Sequence, residues 1–500
     1  MSTHPRLHPI LLSLTTLCFV VAPARARQPP AVPANAAVAA PPKPIAETVS
    51  RIVGEALTHD GAYDALEILC DRVGNRLSGT PHLNDAIAWA VARMRALGLS
   101  NVHTEAVMVP VWERGEEHAQ LVAPVRRPLS LLGLGMSVGT PEGGITAEVV
   151  AVESFEELTA LGEAGVKGRI VLFDVPFTDY GATVKYRGLG ASMAARLGAV
   201  AALVRSIGPI SFDTPHTGSL FYLPEVAKIP AAALSIEDAT LLHRLFQQGL
   251  KPRVQLNMGA HLLPDAPSAN VVGELPGGGK PEEIIVLGAH LDSWDVGQGA
   301  QDDGVGVVIA SEAVGLLRSL GIRPRRTIRV VLYTNEENGV RGGKGYREAH
   351  RAELSRHVAA IESDSGNGAA QGFTFDVRPP GVKEPSFGAP PQARSPEVEK
   401  AEKASVESLI AATQSRLGVL MHWLSPLAAD RLRAGHAGTD IDPMLGDGVV
   451  GLSLDHDTTH YWDVHHSRAD TFEKIDRAAL RRNVAVMAVM AYLLSESYQR

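Results

Sequence analysis

The second half of the chain alternates strand-like and helix-like stretches, and this order restricts the fold more than any other feature. "EEIIVLGAH", "TIRVVLYTNEE" and "HVAAIESDSG" are short apolar runs typical of buried strands, and "GVGVVIASEAVGLLRSLG" has the apolar spacing of a helix. Strands separated by helices usually pair in parallel, with helices covering both faces of the sheet. We therefore predict an α/β fold with a doubly wound, mostly parallel sheet.

The length and charge of the chain narrow the function classes. Five hundred residues exceed what one hydrophobic core usually supports, so we expect more than one domain. The net charge of −8 at pH 7 provides no basic surface of the kind that binds nucleic acid. We therefore expect no nucleic-acid partner.

The N-terminus has the features of an export signal. The apolar run Ile10–Ala22 precedes an A-x-A sequence at 24–26, so residues 1–26 are predicted to be a signal peptide of a periplasmic or secreted protein. The run is too short to span a bilayer, so no membrane association is expected after cleavage; an uncleaved anchor is the alternative. Residues 27–44 are rich in Pro and Ala and are predicted to be a disordered tether. Cys70 alone remains after cleavage, which excludes an intrachain disulfide.

Changes of pattern along the rest of the chain indicate three segments. Helical periodicity extends from Ile45 to Leu99, and short strands with turn signals follow from about Glu105 to Gly259, so we place the segment boundaries at 45–108 and 109–264. Residues 265–500 carry the strand–helix alternation. We interpret the first and last segments as parts of one domain and 109–264 as a β-rich insert with its own core. The Pro-rich, charged stretch Val377–Ser405 is predicted to be an exposed excursion, followed by a helix over Val406–Leu417.

Acidic residues and histidines follow the predicted strands, at the edge where an α/β sheet binds its ligands. They are His290, Asp292, Glu336, Glu337, Glu362, Asp364, His456, His460, His465, His466 and Asp470. Asp302 and Asp303 open the helix after the first of these strands, and either one alone would be read as a helix cap. So many carboxylates in one crevice would raise one another's pKa values unless cations neutralise them. Histidine and carboxylate ligands without thiolate suit a catalytic zinc site, so a metal site is the leading hypothesis.

The motifs of this half resemble those of the M28 family of two-zinc exopeptidases, most closely its carboxypeptidase Q group. The resemblance rests on "GAHLDSWDVGQGAQDDGVG", "TNEENGVRGG", "ESDSG" and "HHSRADT" in this order. "GRIVLFDV" and "IPAAALS" in the insert are similar, more weakly, to the family's protease-associated domain. The resemblance implies a zinc exopeptidase fold with a protease-associated-like insert, two Zn²⁺ ions and a peptide substrate. Relatives also suggest a homodimer.

The resemblance further implies a set of metal ligands. His290 and Asp364 would hold one zinc, Glu337 and His466 would hold the other, and Asp302 would bridge the two. The family's ligand stands four residues before the Asp of "DT", which selects His466 over its neighbour His465. His465 is then expected to point away or to line the pocket.

Three other features are implied in the same way. Glu336 would be the general base; strand alternation says only that Glu336 and Glu337 diverge, so the two roles come from the resemblance. The carboxylate of Asp292 would orient the imidazole of His290, as metal-bound histidines usually require. The peptide between Asp302 and Asp303 would be cis, as in relatives.

The implied reaction is hydrolysis of the peptide bond in dipeptides or short peptides, by a metal-activated water and a glutamate general base. Tyr461, Asp440 and His465 are interpreted as lining the substrate pocket, where Tyr461 would stabilise the oxyanion. Packing is the alternative role for Tyr461 and Trp462.

Three alternatives to this function remain open from the sequence. They are an aminopeptidase acting on longer peptides, a related amide-processing enzyme such as a glutaminyl cyclase, and a non-catalytic binding protein like the transferrin-receptor relatives. The sequence signature of the last would be loss of metal ligands, whereas every expected position is filled here.

Overall fold

The computed structural model describes residues 43–382 and 396–499. The predicted signal peptide and tether lie outside the described residues, except that residues 43 and 44 begin the first helix. The α-helices of the described residues are α1 (Lys43–Ala56), α2 (Gly61–Ile68), α3 (Pro81–Ala96), α4 (Phe155–Val166), α5 (Tyr180–Ala195), α6 (Ile236–Gln247), α7 (Val305–Ser319), α8 (Arg341–Ala349), α9 (Pro396–Met421), α10 (Asp442–Leu445) and α11 (Arg477–Glu496). The strands are β1 (Ser100–Glu113), β2 (Glu117–Ala123), β3 (Arg127–Leu129), β4 (Leu131–Gly133), β5 (Ile145–Val152), β6 (Ile170–Phe173), β7 (Ala201–Arg205), β8 (Ala231–Leu234), β9 (Arg253–Met258), β10 (His261–Leu275), β11 (Lys280–His290), β12 (Arg326–Tyr333), β13 (His357–Glu362), β14 (Ala370–Asp376), β15 (Arg431–Ala434) and β16 (Val450–His456).

The first sheet has eight strands in the order β1-β10-β12-β11-β13-β16-β14-β15. Its four central strands, β12, β11, β13 and β16, pair in parallel. The flanking pairs β1–β10, β10–β12 and β14–β16 are antiparallel. The edge pair β14–β15 is parallel, so the sheet is mixed, with four parallel and three antiparallel strand pairs. Short connections after β10 and β13 contain no crossover helix, so the strand that follows each of them reverses direction.

The parallel centre of this sheet aligns the ends of its strands. His290 at the end of β11 is paired with Tyr333 at the end of β12, and Gly288 is paired with Glu362 at the end of β13. Glu362 is in turn paired with Ser453 on β16. The loops that follow these four strands consequently emerge at one edge of the sheet, where ligands of α/β folds collect.

Helices α7 and α11 pack together against one face of this sheet. Every residue of α7 from Val305 to Leu317 is buried, as expected for a helix that is apolar on all sides. By length and composition α11 could cross a membrane, but 78% of its most apolar window is buried inside the protein, as in a core helix.

The second sheet lies between Glu117 and Met258, within the predicted insert. Its order is β3-β2-β9-β5-β6-β7-β8-β4, and β5, β6, β7 and β8 pair in parallel. One apolar cluster includes Leu242 of α6, and another includes Leu158 of α4 and Tyr186 of α5, so helices cover this sheet. The segment therefore contains apolar clusters of its own and combines a sheet with helices, whereas its bounds as a separate insert stay a prediction. Its identification as a protease-associated domain stays a prediction.

The prediction for the Pro-rich excursion is wrong in its second half. Residues 383–395 lie outside the described residues, but α9 begins at Pro396, ten residues before the predicted helix. "PEVEKAEKAS" contains good helix formers after a proline at the first turn, where proline is well tolerated. The charges in this stretch led us to predict an excursion, although Glu and Lys are good helix formers.

Candidate metal centre

The five side chains predicted to hold metal lie together at the carboxyl edge of the first sheet. His290 ends β11, and Asp302 follows in the loop before α7. Glu337, Asp364 and His466 stand in the loops after β12, β13 and β16. The parallel register of these strands brings residues that are up to 176 positions apart into one cluster, because their loops leave the sheet at the same edge.

Asp302 connects two groups of side chains within this cluster. Its Oδ1 lies 3.1 Å from Nε2 of His290, and its Oδ2 lies 3.1 Å from Nε2 of His466. The imidazole of His290 is also 3.7 Å from Oδ1 of Asp364, and that of His466 is 3.1 Å from Oε2 of Glu337. The two oxygens of one carboxylate therefore face two different His–carboxylate pairs.

The electrostatics of the cluster favour bound cations. Oδ2 of Asp302 and Oε1 of Glu337 are buried and have no hydrogen-bond partner among the described residues. Burial, and then the charge of Asp302, raise the pKa of Glu337 to about 7. Burial alone would lower the pKa of His290, but Asp302 and Asp364 raise it well above its usual range. Buried carboxylates with unpaired oxygens, together with imidazoles, are the donor set of a catalytic zinc site, so these residues fit zinc.

Backbone hydrogen bonds fix the loop that carries Asp302. The carboxylate of Asp470 accepts hydrogen bonds from the N–H groups of Gln301 (2.7 Å) and Asp302 (3.2 Å). Asp303 accepts from the N–H of His290 (3.1 Å) and from that of Gly306 (2.9 Å), and so connects the end of β11 to the start of α7. The Asp302–Asp303 peptide is cis, as the resemblance implied.

The structure corrects the role predicted for the carboxylate of Asp292. Nδ1 of His290 lies 2.9 Å from the backbone carbonyl oxygen of Asp292, whereas the carboxylate is 3.8 Å away. The carboxylate instead accepts the N–H groups of Glu336 (3.1 Å) and Glu337 (3.3 Å), and the hydroxyl of Ser78 (3.3 Å). The turn after β11 presents the carbonyl to the imidazole, so Asp292 orients His290 through its backbone and the Glu336–Glu337 pair through its side chain.

Glu336 lies on the wall of a cleft of about 1200 Å³ that reaches the metal centre. Its side chain is half-buried, and Asp302, Glu337, Asp364 and His466 line the same cleft. Burial, and then the neighbouring carboxylates Asp364 and Glu337, raise the pKa of Glu336 well above its usual range. A carboxylate with a raised pKa beside the cluster has the affinity for a proton that a general base requires.

Two of the three predicted pocket residues line this cleft. His465 stacks on His466 with ring centroids 3.6 Å apart, and its Nε2 lies 3.5 Å from Oδ2 of Asp302. Tyr461 is 6% exposed, and burial and the carboxylates of Asp302 and Asp364 raise the pKa of its phenol well above its usual range. His465 therefore lines the pocket, and Tyr461 keeps its proton as a hydrogen-bond donor.

The third pocket residue, Asp440, is not on the cleft wall. It is fully buried, and neither carboxylate oxygen has a hydrogen-bond partner among the described residues. Burial, and then the charges of Glu362 and Glu336, raise its pKa well above its usual range. Its neighbours Gly438 and Thr439 line the cleft instead. The carboxylate of Glu362 accepts the N–H groups of residues 439–441, which turns the Asp440 side chain into the protein; direct substrate contact by Asp440 is a prediction that this placement contradicts.

Sequence reasoning missed the arginine that supports the centre. Arg76 is fully buried and donates to the carbonyl oxygens of Leu291 (2.7 Å), Gln298 (2.7 Å) and Gly299 (3.0 Å). It therefore holds the loop between β11 and Asp302 in place. Its position in "RVGNRLSG" provides no local signal for this role, because the loop that it holds lies more than 200 residues away.

The second-sheet segment also contributes directly to the centre. The N–H of Thr217 donates to the carbonyl oxygen of His466 (2.8 Å), and the hydroxyl of Ser219 donates to that of Glu337 (2.7 Å). His466 has a left-handed backbone with φ of 58°, a conformation that histidine tolerates better than most residues. Both residues of the second His–carboxylate pair are thus held by the loop after β7.

Known proteins resemble the chain over nearly its whole length. The sequence model of peptidase family M28 matches residues 270–491. Carboxypeptidase Q of Xenopus laevis is 40% identical over 454 residues, which cover 91% of this chain and 90% of that protein. Carboxypeptidase Q of Homo sapiens is 38% identical over 452 residues, covering 90% of this chain and 89% of that protein.

Solved structures agree with the sequence relatives. A peptidase M28 precursor from Shewanella amazonensis SB2B is 33% identical and has a TM-score of 0.81, covering 92% of this chain and 99% of that one. A zinc aminopeptidase from Bacillus subtilis, 19% identical, has a TM-score of 0.61 over 88% of this chain and 96% of that one, and so shares the fold. Identity of about 40% that extends beyond the motifs, together with a shared fold and a His–carboxylate cluster, establishes that the chain belongs to peptidase family M28 and is a zinc metallopeptidase.

Proposed function

We propose that the protein is an exported dinuclear zinc exopeptidase that hydrolyses peptide bonds in dipeptides or short peptides. The observation that carries the dinuclear part is the placement of Asp302, whose two carboxylate oxygens each lie 3.1 Å from a different imidazole. A carboxylate in this position can bridge two cations, and a single metal would leave one of the two His–carboxylate pairs without a charge partner.

The residues present fit two ions. His290 and Asp364 would hold one zinc, Glu337 and His466 would hold the other, and Asp302 would bind both. When bound, the ions would polarise the scissile carbonyl and acidify the attacking water. The contacts from Asp292, Asp470 and the loop after β7 support this assignment, because second partners of metal ligands usually fix the ligand orientation.

The chain's own groups would move the proton. Glu336 would accept the proton of the attacking water and deliver it to the nitrogen of the leaving amine. Its placement on the cleft wall and its raised pKa support this role. Tyr461 would donate a hydrogen bond to the oxyanion that develops on the scissile carbonyl, and its protonated phenol beside Asp302 and Asp364 supports that role.

The substrate class rests on the relatives. The proteins that the chain resembles over nine-tenths of its length are named carboxypeptidase Q, which favours release of a C-terminal residue from a dipeptide or short peptide. A zinc aminopeptidase shares the fold, so cleavage at the N-terminus of longer peptides is the outcome that the substrate assay has to distinguish. Export is part of the proposal because the sequence of residues 1–26 has the features of a signal peptide, and the homodimer is a further part of it.

Glu336→Gln tests the mechanism. The amide keeps the shape of the side chain but cannot take a proton, so we expect zinc content near that of the parent protein and a loss of dipeptide turnover by at least about 100-fold. Zinc is measured by elemental analysis and turnover with a dipeptide panel, before and after chelation. The matched control is Glu348→Gln on the exposed side of α8, which should retain full turnover. Unchanged turnover in Glu336→Gln, or parent protein that is free of metal and insensitive to chelator, would contradict the proposal.

A further inference from the structure

Two exposed loops lie side by side at one end of β2 and β9 in the second sheet. Residues 124–126 connect β2 to β3, and residues 248–252 connect α6 to β9. Ala123 at the end of β2 is paired with Arg253 at the start of β9, and the two strands are antiparallel. Both loops therefore leave their strands in the same direction, about 5 Å apart. We call residues 124–127, 250, 251 and 253, all of which are exposed, the tip surface.

The tip surface is basic, although the whole chain has a net charge of −8 at pH 7. Its cations are Arg126, Arg127, Lys251 and Arg253. Arg127 pairs with Asp238 at 2.7 Å, but among the residues that the structure describes no carboxylate oxygen lies within 4.0 Å of the other three cations. Glu148 is the cross-strand neighbour of Arg253, and it pairs instead with Arg169 at 3.7 Å. Three exposed cations are thus available to an anionic partner.

Two apolar side chains stand among these cations. Val125 is 54% exposed and directly precedes Arg126, and Leu250 is 47% exposed and directly precedes Lys251. Each loop therefore presents an apolar residue followed by a basic one. Exposed apolar side chains gain free energy when a partner removes them from water, so the partner that fits this surface is both anionic and apolar.

We propose that the tip surface attaches the protein to the anionic surface of a lipid bilayer. Each Lys or Arg near such a surface strengthens binding by about fivefold, and the layer beneath the headgroups takes up apolar side chains. A soluble polyanion, such as a nucleic acid or an acidic polysaccharide, would pair with the cations but would provide no apolar layer for Val125 and Leu250. The combination of both kinds of side chain therefore favours the bilayer.

This attachment is peripheral and does not involve the N-terminus. The sequence led us to expect no membrane association after signal cleavage, because the run Ile10–Ala22 is too short to span a bilayer. The tip surface lies elsewhere in the chain and would bind without spanning the membrane. The inference goes beyond the proposed peptidase function and does not rest on it.

The metal centre would stay accessible in the attached protein. No residue of the tip surface lines the cleft that reaches the metal centre. The strand β2 extends from Glu117, near the junction with the first sheet, to Ala123 beside the tip surface, a length of about 20 Å. Attachment would therefore retain the enzyme at a membrane while leaving its cleft open to soluble peptides.

Co-sedimentation with vesicles tests the proposal. One set of vesicles contains equal parts of phosphatidylglycerol and phosphatidylcholine, and the other contains phosphatidylcholine alone. The parent protein should bind the anionic vesicles at least about 10-fold more tightly. Arg126→Glu combined with Lys251→Glu replaces two attractions by two repulsions and should lower that affinity by at least about 100-fold. Val125→Ser combined with Leu250→Ser should lower it by about 10-fold.

The matched control is Arg95→Glu combined with Arg416→Glu, which changes the net charge equally at exposed positions of α3 and α9. It should keep the parent affinity. All variants carry the N-terminus of the parent protein, so differences among them report on the tip surface. Thermal melting verifies that each variant is folded, and turnover of a dipeptide without vesicles should equal the parent value. Arg126→Gln with Lys251→Gln, expected to lose about 25-fold in affinity, replaces a charge-reversed variant that does not fold.

Several results would overturn the proposal. They are equal affinity of the parent protein for the two sets of vesicles, parent affinity in the folded charge variant, and an equal loss in the control. Retention on immobilised heparin provides the comparison with a soluble polyanion. Loss of binding in the charge variant without any loss in Val125→Ser with Leu250→Ser, together with retention of the parent on heparin, would assign the surface to a polyanion instead. Vesicle binding requires no turnover, so its outcome is independent of the peptidase proposal.

Discussion

Asp292→Asn separates the two roles that the structure gives to this residue. The backbone carbonyl that holds Nδ1 of His290 is unchanged by the substitution. The side chain, however, exchanges one carboxylate oxygen for an NH₂ group, and both oxygens accept backbone N–H groups, from Glu336 at 3.1 Å and Glu337 at 3.3 Å. One of these N–H groups would then face another donor.

The expected effect is the loss of one hydrogen bond to a charged acceptor at a fully buried site. Such a bond contributes about 1.5–3 kcal/mol, and the full value applies because no solvent screens it. If that energy positions Glu336 and Glu337 for the reaction, kcat falls roughly 10- to 150-fold. Zinc should also dissociate more readily, because Glu337 is a predicted ligand of one ion.

The assay is steady-state hydrolysis of a dipeptide together with zinc analysis of the same preparation. Asp265→Asn, which changes an exposed carboxylate on β10, serves as the matched control and should keep both parent values. Ser78→Ala removes the third donor to Asp292, together with the acceptor for Nδ2 of Asn335 at 3.0 Å, and should have an intermediate effect. A kcat within threefold of the parent value in Asp292→Asn, with full zinc occupancy, would show that the carboxylate does not position the glutamates.

Two further predictions concern stability. Burial lowers the pKa of His357 from 6.5 to about 4, so the stabilising contribution of the neutral imidazole is complete above pH 6.5 and is lost as the pH falls toward 4. Between pH 7 and pH 5 the free energy of unfolding should fall by about 2 kcal/mol from this residue alone. His357→Gln should therefore flatten the decline of Tm over this range, and an unchanged decline would contradict the assignment. Gly306→Ala would place a Cβ 1.9 Å from the carbonyl oxygen of Ser363 and should lower the free energy of unfolding by more than about 3 kcal/mol. A Cβ on Gly54 in α1 would meet no atom within 4 Å, so Gly54→Ala should raise the free energy of unfolding by up to about 1 kcal/mol. Denaturant titration compares the two variants, and equal stabilities would refute the steric argument.

The strand ends were predictable because the signals that mark them are local. Apolar runs such as "IIVLGAH" and "VAAIE" form central strands, and the residues that follow them must then lie at one edge of the sheet. The ligand assignment, including the choice of His466 over His465, came from the family motifs. Physical reasoning alone did not distinguish His466 from His465 as the ligand, and in the structure both imidazoles lie within 3.5 Å of Asp302.

What could not be predicted depends on long-range contacts. Arg76 stands in a stretch with no catalytic signature, and the loop that it holds lies more than 200 residues away. Alternation along β11 puts the side chains of His290 and Asp292 on one side, but the chain turns after His290 and presents a carbonyl instead. The side chain of Asp440 points inward because Glu362 binds the backbone on either side of it, a contact between residues 78 positions apart.

The chain passes from the first sheet to the second and back at neighbouring positions. Glu113 at the end of β1 is paired with His261 at the start of β10. The segment of residues 117–258 is therefore inserted between two neighbouring antiparallel strands of the first sheet, at the end of their pairing. A tight turn that replaces this segment could join β1 to β10 directly and would leave every strand of the first sheet in place. The shortened chain would nevertheless lack the hydrogen bonds from Thr217 and Ser219 to the backbones of His466 and Glu337, and the guanidinium of Arg187 beside His466. Removing the segment would therefore leave the strand pairing of the first sheet in place while releasing the backbones of two predicted metal ligands.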